Sequence, residues 1–121
     1  MSTLRGIGPG RWDSGTLARQ QEAHAVAPRY SGQTTFKVYT ERKANIPALV
    51  AEWFDGATII EAIGLWKGTA ELSAIVEIVA PFSSLVRVRA LARSILRTNG
   101  QTSVLVVWRS GAGLQVLDVR E

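Results

Sequence analysis

Cysteine is absent from the 121-residue sequence, which rules out both a disulfide framework and a thiolate metal site. Histidine is nearly absent as well. His24 stands alone, with no second histidine and no clustered acids beside it, so neither a zinc site nor a nucleophile-histidine-acid triad can be built on it. No stretch approaches the roughly 18 continuous apolar residues of a membrane span, and the opening segment MSTLRGIGPGRWDSG lacks the apolar region of a secretory signal. A cytoplasmic protein is expected, with no metal, no cofactor and no membrane association.

What is present is enough for one domain: 46% of the residues are apolar, which supports one core and not two. Fourteen Lys and Arg against ten Asp and Glu leave a formal charge of +4, a bias that attracts phosphates, nucleotides, nucleic acid or acidic proteins.

The chain divides near residue 33. Residues 1–33 are rich in Gly and Pro at first and weakly helical later, and read as an arm that is stable only when packed on the domain or on a neighbouring subunit. A short helix is expected over residues 14–25, with Ser14 as N-cap and Leu17, Ala18 and Gln21 at helical spacing. The run GIGPG follows no strand, so it does not meet the pattern of a phosphate loop.

Residues 34–121 show clear periodicity. TTFKVYTE alternates as a strand, with Phe36 and Val38 on one face and Lys37, Tyr39 and Glu41 on the other. NIPALVAEWFDG switches to a helical period: Ile46, Leu49, Val50, Trp53 and Phe54 share a face, Asn45 can cap it, Pro47 fits the first turn and Gly56 follows the end. ATIIEAIGLW and AELSAIVEIVA are two β-branched runs joined by KGT. With Lys67, Gly68 and Thr69 as a three-residue turn, Ile60 falls opposite Val76, Ala62 opposite Ala74 and Gly64 opposite Leu72, all on the helix-covered face. A second helix follows Pro81, capped by Ser83 or Ser84, with Val88, Leu91, Ala92, Ile95 and Leu96 as its stripe and Asn99 and Gly100 as its stop. TSVLVVWR is a buried strand, and GLQVLDV a short closing one.

The order strand, helix, strand, strand, helix, strand predicts an α+β, ferredoxin-like βαββαβ fold with an extra short C-terminal strand: a four- to five-stranded antiparallel sheet with both helices on one face. The other face is expected to carry Tyr39, Ile59, Ile63, Leu65, Ile75, Val79, Leu105 and Val107. An apolar surface of that size marks an interface, with another subunit or with the N-terminal arm. Ile59, Ile63, Leu65, Ile75, Leu105 and Val107 are therefore candidate oligomer contacts, and a homo-oligomer, trimer or dimer, is expected.

Several residues invite a chemical reading. Trp66, at the hairpin tip and on the helix side by parity, either caps the core or stacks on a ligand ring, with Lys67 beside it to bind phosphate. Lys37, Arg42 and Lys43 form a basic cluster near Tyr39, where the first strand hands over to the first helix. Glu61 and Glu77 point the same way in the register above and form either a structural pair with Lys37 or an acid/base pair. Without a nucleophile or an oxyanion site in the pattern, no catalytic residue is assigned. Arg89, Arg93 and Arg97, with Arg87 nearby, form a row that is either a solvated face or an anion-binding one whose affinity falls with salt.

The run IEAIGLWKGTAELSAIVEI, followed by a helix and a last apolar strand, resembles the central part of the CutA divalent-cation-tolerance proteins and, more distantly, the PII-like signalling proteins. The shared features are the aromatic-Lys-Gly turn at Trp66, Lys67 and Gly68 and an acid in the return strand, Glu71 or Glu77. The resemblance covers residues 36–108. No cysteine follows the first helix, and TNGQTSVLVVW stands where CutA proteins carry a His-Pro-Tyr segment, so metal binding is not carried over. It implies a trimer of ferredoxin-like subunits with small ligands between them.

The leading expectation is thus an oligomeric small-ligand-binding protein, regulatory or sequestering, that takes an anionic ligand such as a nucleotide at intersubunit clefts through Trp66, Lys67, Arg42, Lys43, Tyr39 and Lys37. Three alternatives stay open. An RNA-recognition sheet has the same element order but stacks bases on aromatics of its first and third strands, and the third strand here offers Ser73, Ile75 and Glu77. A cofactor-free dimeric ferredoxin-like enzyme would need an apolar pocket, which Trp53, Phe54, Trp66 and Trp108 could line. The last is a structural assembly subunit.

Overall fold

A computed structural model of the protein describes residues 32–121. The expected arm helix, His24 and the GIGPG run lie outside them.

Strand β1 (Gln33–Glu41) is followed by a short helix α1 (Ile46–Ala51), a hairpin of β2 (Thr58–Trp66) and β3 (Thr69–Pro81), a 3-10 turn (Phe82–Ser84), the long helix α2 (Leu85–Asn99), and strands β4 (Val104–Ser110) and β5 (Gly113–Val119). The strands form a single sheet in the order β2-β3-β1-β4-β5, antiparallel throughout. The first four strands and both helices make the ferredoxin-like βαββαβ arrangement, and β5 extends the sheet beyond β4.

Alternation along the strands builds the core. Phe36 and Val38 of β1, Ala74, Val76 and Ile78 of β3, and Val104 and Val106 of β4 are buried on one face, where they meet Val88, Leu91, Ala92, Ile95 and Leu96 of α2 and Ile46, Leu49 and Val50 of α1. α1 ends before its apolar stripe does. Trp53 and Phe54 follow in turns held by their backbone N–H groups on the Val50 carbonyl, and Phe54 is still buried.

Neither helix is capped as the sequence suggests. Asn45 and Ser84 occupy the N-cap positions without a side-chain cap bond; both residues are in the αR region, not the β region that brings a capping oxygen over the first turn. Asn45 instead donates from Nδ2 to Oδ1 of Asn99 at 2.7 Å, tying the start of α1 to the end of α2. Gly100, at φ 66°, closes α2 in the left-handed conformation expected of it.

The hairpin register corrects the sequence reading. Trp66 pairs with Thr69, leaving Lys67 and Gly68 as a two-residue turn, with positive φ at both, 49° and 81°, as in a type I′ turn. Ile59 therefore lies opposite Val76, and Ile60 opposite Ile75. A one-residue slip moves every side chain of a strand to the other face. Ile59, Glu61, Ile63 and Leu65 turn to the helix side, while Ile60, Ala62, Gly64 and Trp66 join the open face. Ile59 packs against the core. Ile63 and Leu65 lie where the hairpin has run past the helices and are 72% and 75% exposed, next to the exposed Leu72. Ile75, Leu105 and Val107 are on the open face as expected.

Candidate functional site

The open face begins at its centre with a row of residues in register: Ile60, Ile75, Tyr39 and Leu105, on β2, β3, β1 and β4 in turn. Two clefts meet at Tyr39. One, of about 570 Å³, runs past Lys37, Glu77, Val107, Arg109 and Leu114. The other, of about 310 Å³, lies toward the hairpin tip and is bordered by Tyr39, Glu41, Trp66, Glu71, Ser73, Gln101 and Ser103. Each has two aromatic rings in its wall, Tyr39 with Trp108 in the first and with Trp66 in the second; the second gathers as many polar side chains at a greater density, in about half the volume, and has no basic residue among the described residues of its wall.

Local structure explains that density. β1 delivers Tyr39 and Glu41 by strand parity; β3 delivers Glu71 and Ser73 on the same side. The two-residue turn puts Trp66 over this face, with Lys67 Nζ 5.5 Å from the indole centroid. Gly64 leaves a gap in the floor. A Cβ there would stand 2.7 Å from Ser73 Oγ, so the absence of a side chain is what admits that hydroxyl. At the far wall, buried Gln101 donates from Nε2 to Thr40 Oγ1 at 2.7 Å, and its Oε1 accepts the Glu41 backbone N–H at 3.4 Å. Ser103 donates its hydroxyl to Asp118 at 2.5 Å. That bond, and a second from Arg120, hold the Asp118 carboxyl below the usual aspartate range. With its proton so used, Ser103 Oγ presents lone pairs to the cleft.

The basic residues singled out in the sequence are mostly engaged within the fold. Lys37 pairs with Glu77 at 3.9 Å and Lys43 with Glu41 at 3.8 Å. Arg42 is a clamp on the hairpin: Nε donates to the Ser73 carbonyl at 3.2 Å and Nη2 to the Ala62 carbonyl at 2.6 Å, with Glu61 4.0 Å from Nη1. Glu61 and Glu77 lie on opposite faces of the sheet, so they do not form the expected carboxylate pair. Glu71 makes no ion pair with any described residue. Among the described residues no group of acids and histidines is arranged to hold a metal ion, and no helix is long and apolar enough to cross a membrane.

The sequence reading brought Tyr39, Trp66 and Lys67 to this end of the molecule and missed Gln101 and Ser103. Both follow the stop of α2 in a polar loop, where no period indicates which side chains turn inward.

No protein-family model matches the chain, and no curated protein matches its sequence. Among solved structures it is similar in fold to a phage SAM lyase in complex with S-methyl-5′-thioadenosine, at 14% identity and a TM-score of 0.59, over 74% of this chain and 91% of the other. The phage SAM lyase in its apo state aligns at 14% identity and a TM-score of 0.51, over 73% and 89% of the two chains.

Proposed function

We propose that this protein is an oligomeric small-ligand-binding protein whose site is the cleft between Tyr39 and Trp66, and that its ligand is an adenine nucleoside derivative without a phosphate in that cleft. The observation that carries this reading is the composition of the cleft: two aromatic rings, the Glu71 carboxylate, which has no basic partner among the described residues, and the Ser73, Gln101 and Ser103 polar groups within about 310 Å³. A base stacks on an aromatic face at a gain of about 1–3 kcal/mol, and carboxylates accept from ribose hydroxyls. The engagement of Lys37, Arg42 and Lys43 with Glu77, Glu61 and Glu41 favours a neutral or cationic nucleoside over a nucleotide. The shared fold of a phage SAM lyase in complex with S-methyl-5′-thioadenosine supports the same class of ligand.

An open cleft of this kind is completed by a neighbour. The apolar row of the open face and the exposed Ile63, Leu65 and Leu72 at the hairpin tip support a homo-oligomer, with a second subunit closing the site.

Calorimetric titration with S-methyl-5′-thioadenosine, S-adenosylmethionine, adenosine and ATP tests the reading. Saturable binding of at least one of the first three is expected, stronger than that of ATP and weakened roughly 5- to 150-fold in Trp66→Ala, the factor equivalent to one lost stacking contact. Absence of saturable binding by the first three refutes it, whether or not ATP binds.

The carboxylate of Glu71 favours a second reading, a cofactor-free enzyme that cleaves a sulfonium substrate. A sulfonium carries its own leaving group: the substrate's own carboxylate attacks the γ-carbon, a lactone C–O bond forms as the C–S bond breaks, and its electron pair leaves on sulfur as the neutral thioether, so that Glu71 has only to hold the cationic substrate in that geometry. Release of S-methyl-5′-thioadenosine from S-adenosylmethionine, followed by chromatography and reduced at least tenfold in Glu71→Gln, distinguishes turnover from binding alone.

A further inference from the structure

The arginines of α2 border a cleft on the opposite side of the sheet from the proposed ligand site. Arg89, Arg93 and Arg97 recur every fourth residue, so their Cα atoms span about 12 Å along the helix axis, and with Trp53 they frame a space of about 680 Å³ with no acid among the described residues of its wall. Ser94 and Thr98 add hydroxyls. Arg97 is held by Glu121 at 2.7 Å, whereas Arg89 and Arg93 make no ion pair with any described residue.

Two N–H donors of this wall are buried without an acceptor among the described residues: Trp53 Nε1 and Arg93 Nε. Indole and guanidinium groups can only donate, so neither can satisfy the other, and the hydroxyls of Ser94 and Thr98 do not reach them. Buried donors almost always have a partner, and two orphans in one cleft call for acceptors from outside. Trp53 is also fixed in place. Its carbonyl accepts a bond from Arg87, whose guanidinium lies 4.7 Å from the centroid of the neighbouring Phe54 ring.

We propose that this cleft is an anion site for a phosphate chain of the diphosphate or triphosphate kind. Such a ligand presents many acceptor oxygens and more than one negative charge along a few ångströms, matching the guanidinium groups of Arg89 and Arg93 and the indole donor of Trp53. A monocarboxylate would satisfy one of them. Arginine forks engage phosphate oxygens two at a time. The site is independent of the nucleoside cleft on the open face, and neither depends on the other.

Trp53 supplies a local readout. In ¹H-¹⁵N spectra the sequence gives four indole N–H signals, from Trp12, Trp53, Trp66 and Trp108. Titration with pyrophosphate at constant ionic strength should move the Trp53 signal saturably and leave Trp108 in place. Arg93→Gln and Arg89→Gln should each weaken binding tenfold or more, Arg93→Lys should recover only part of it, and Arg109→Gln should change it less than twofold. Circular dichroism of each variant separates loss of the site from loss of the fold, and Arg89 is exposed, so its variant retains the structure. Parallel titrations with ATP, anionic phospholipid vesicles and a single-stranded oligonucleotide identify the source of the phosphate. A Trp53 signal unmoved by pyrophosphate, a response shared equally by all four indoles, or one seen only with the oligonucleotide overturns the proposal.

Discussion

Gln101 shows how much one side chain can settle at the edge of a site. It is 9% exposed, its amide spans the hydroxyl of Thr40 and the backbone of Glu41, and Thr40 is itself buried. Replacement by Leu would keep the volume and leave the Thr40 hydroxyl and the Glu41 N–H without their partner. Each unsatisfied group costs about 1–3 kcal/mol when burial denies it water. Only the Thr40 hydroxyl lies in a fully buried bond, so Gln101→Leu should lower stability by about 1–3 kcal/mol in urea unfolding, with an unchanged slope, and should also weaken ligand binding by loosening Glu41 and Tyr39. A variant as stable as the parent would mean that water reaches these groups. Nothing in TNGQTS marks Gln101 as buried, because a polar residue in a loop carries no period. Tyr39 could be assigned to the open face from TTFKVYTE alone, since Phe36 and Val38 fix the parity of that strand.

At the scale of an element, the β2-β3 hairpin separates what the sequence could specify from what it could not. The existence, type and order of both strands follow from their β-branched runs, and the helices from their i, i+3, i+4 stripes. The register rested on the turn alone, and KGT is compatible with two or three loop residues. The two-residue turn needs positive φ at Lys67, a conformation that costs a residue with a Cβ about 1–2 kcal/mol, so the sequence pattern favoured the longer loop. Alternation offered no veto: Ile59, Ile60, Ile63 and Leu65 put apolar side chains on both faces, so neither register leaves an obvious polar side. This is why the three-residue turn places Ile59, Ile63 and Leu65 on the open face, whereas the observed register puts them on the helix side. The turn chemistry can be tested directly. Gly68 has φ 81° and nothing within 4 Å of a built Cβ, so Gly68→Ala meets no obstacle except its backbone conformation and should cost about 1–2 kcal/mol. Lys67→Asn, which tolerates the left-handed region better, should raise the melting midpoint. If both variants melt with the parent, the turn is not type I′ in solution.

For the whole molecule, the decisive quantity is how much apolar surface remains after the helices have covered one side of the sheet. On the open face Ile60 is 41%, Val116 58% and Leu114 59% exposed, and Tyr39, Ile75 and Leu105 lie between them. A second apolar group, Ile63, Leu65 and Leu72, projects from the helix side of the hairpin tip. Patches beyond a few hundred Å² are uncommon on monomers, and a stable interface needs about 800 Å² from each partner. Light scattering should accordingly give a mass that is a multiple of the subunit's. The two patches predict different ways to break the assembly. Val116→Lys and Ile60→Lys are surface changes to an isolated subunit, worth within about 0.5 kcal/mol there. They should release monomers if the open face is the contact, whereas Leu65→Glu should do so if the hairpin tip is. Because the proposed nucleoside cleft opens on that same face, dissociation by Ile60→Lys should be accompanied by loss of ligand affinity, while binding to the α2 arginines should persist in the monomer. A parent protein that sediments as a single chain at micromolar concentration would remove the oligomer and oblige the Tyr39–Trp66 cleft to bind its ligand unaided.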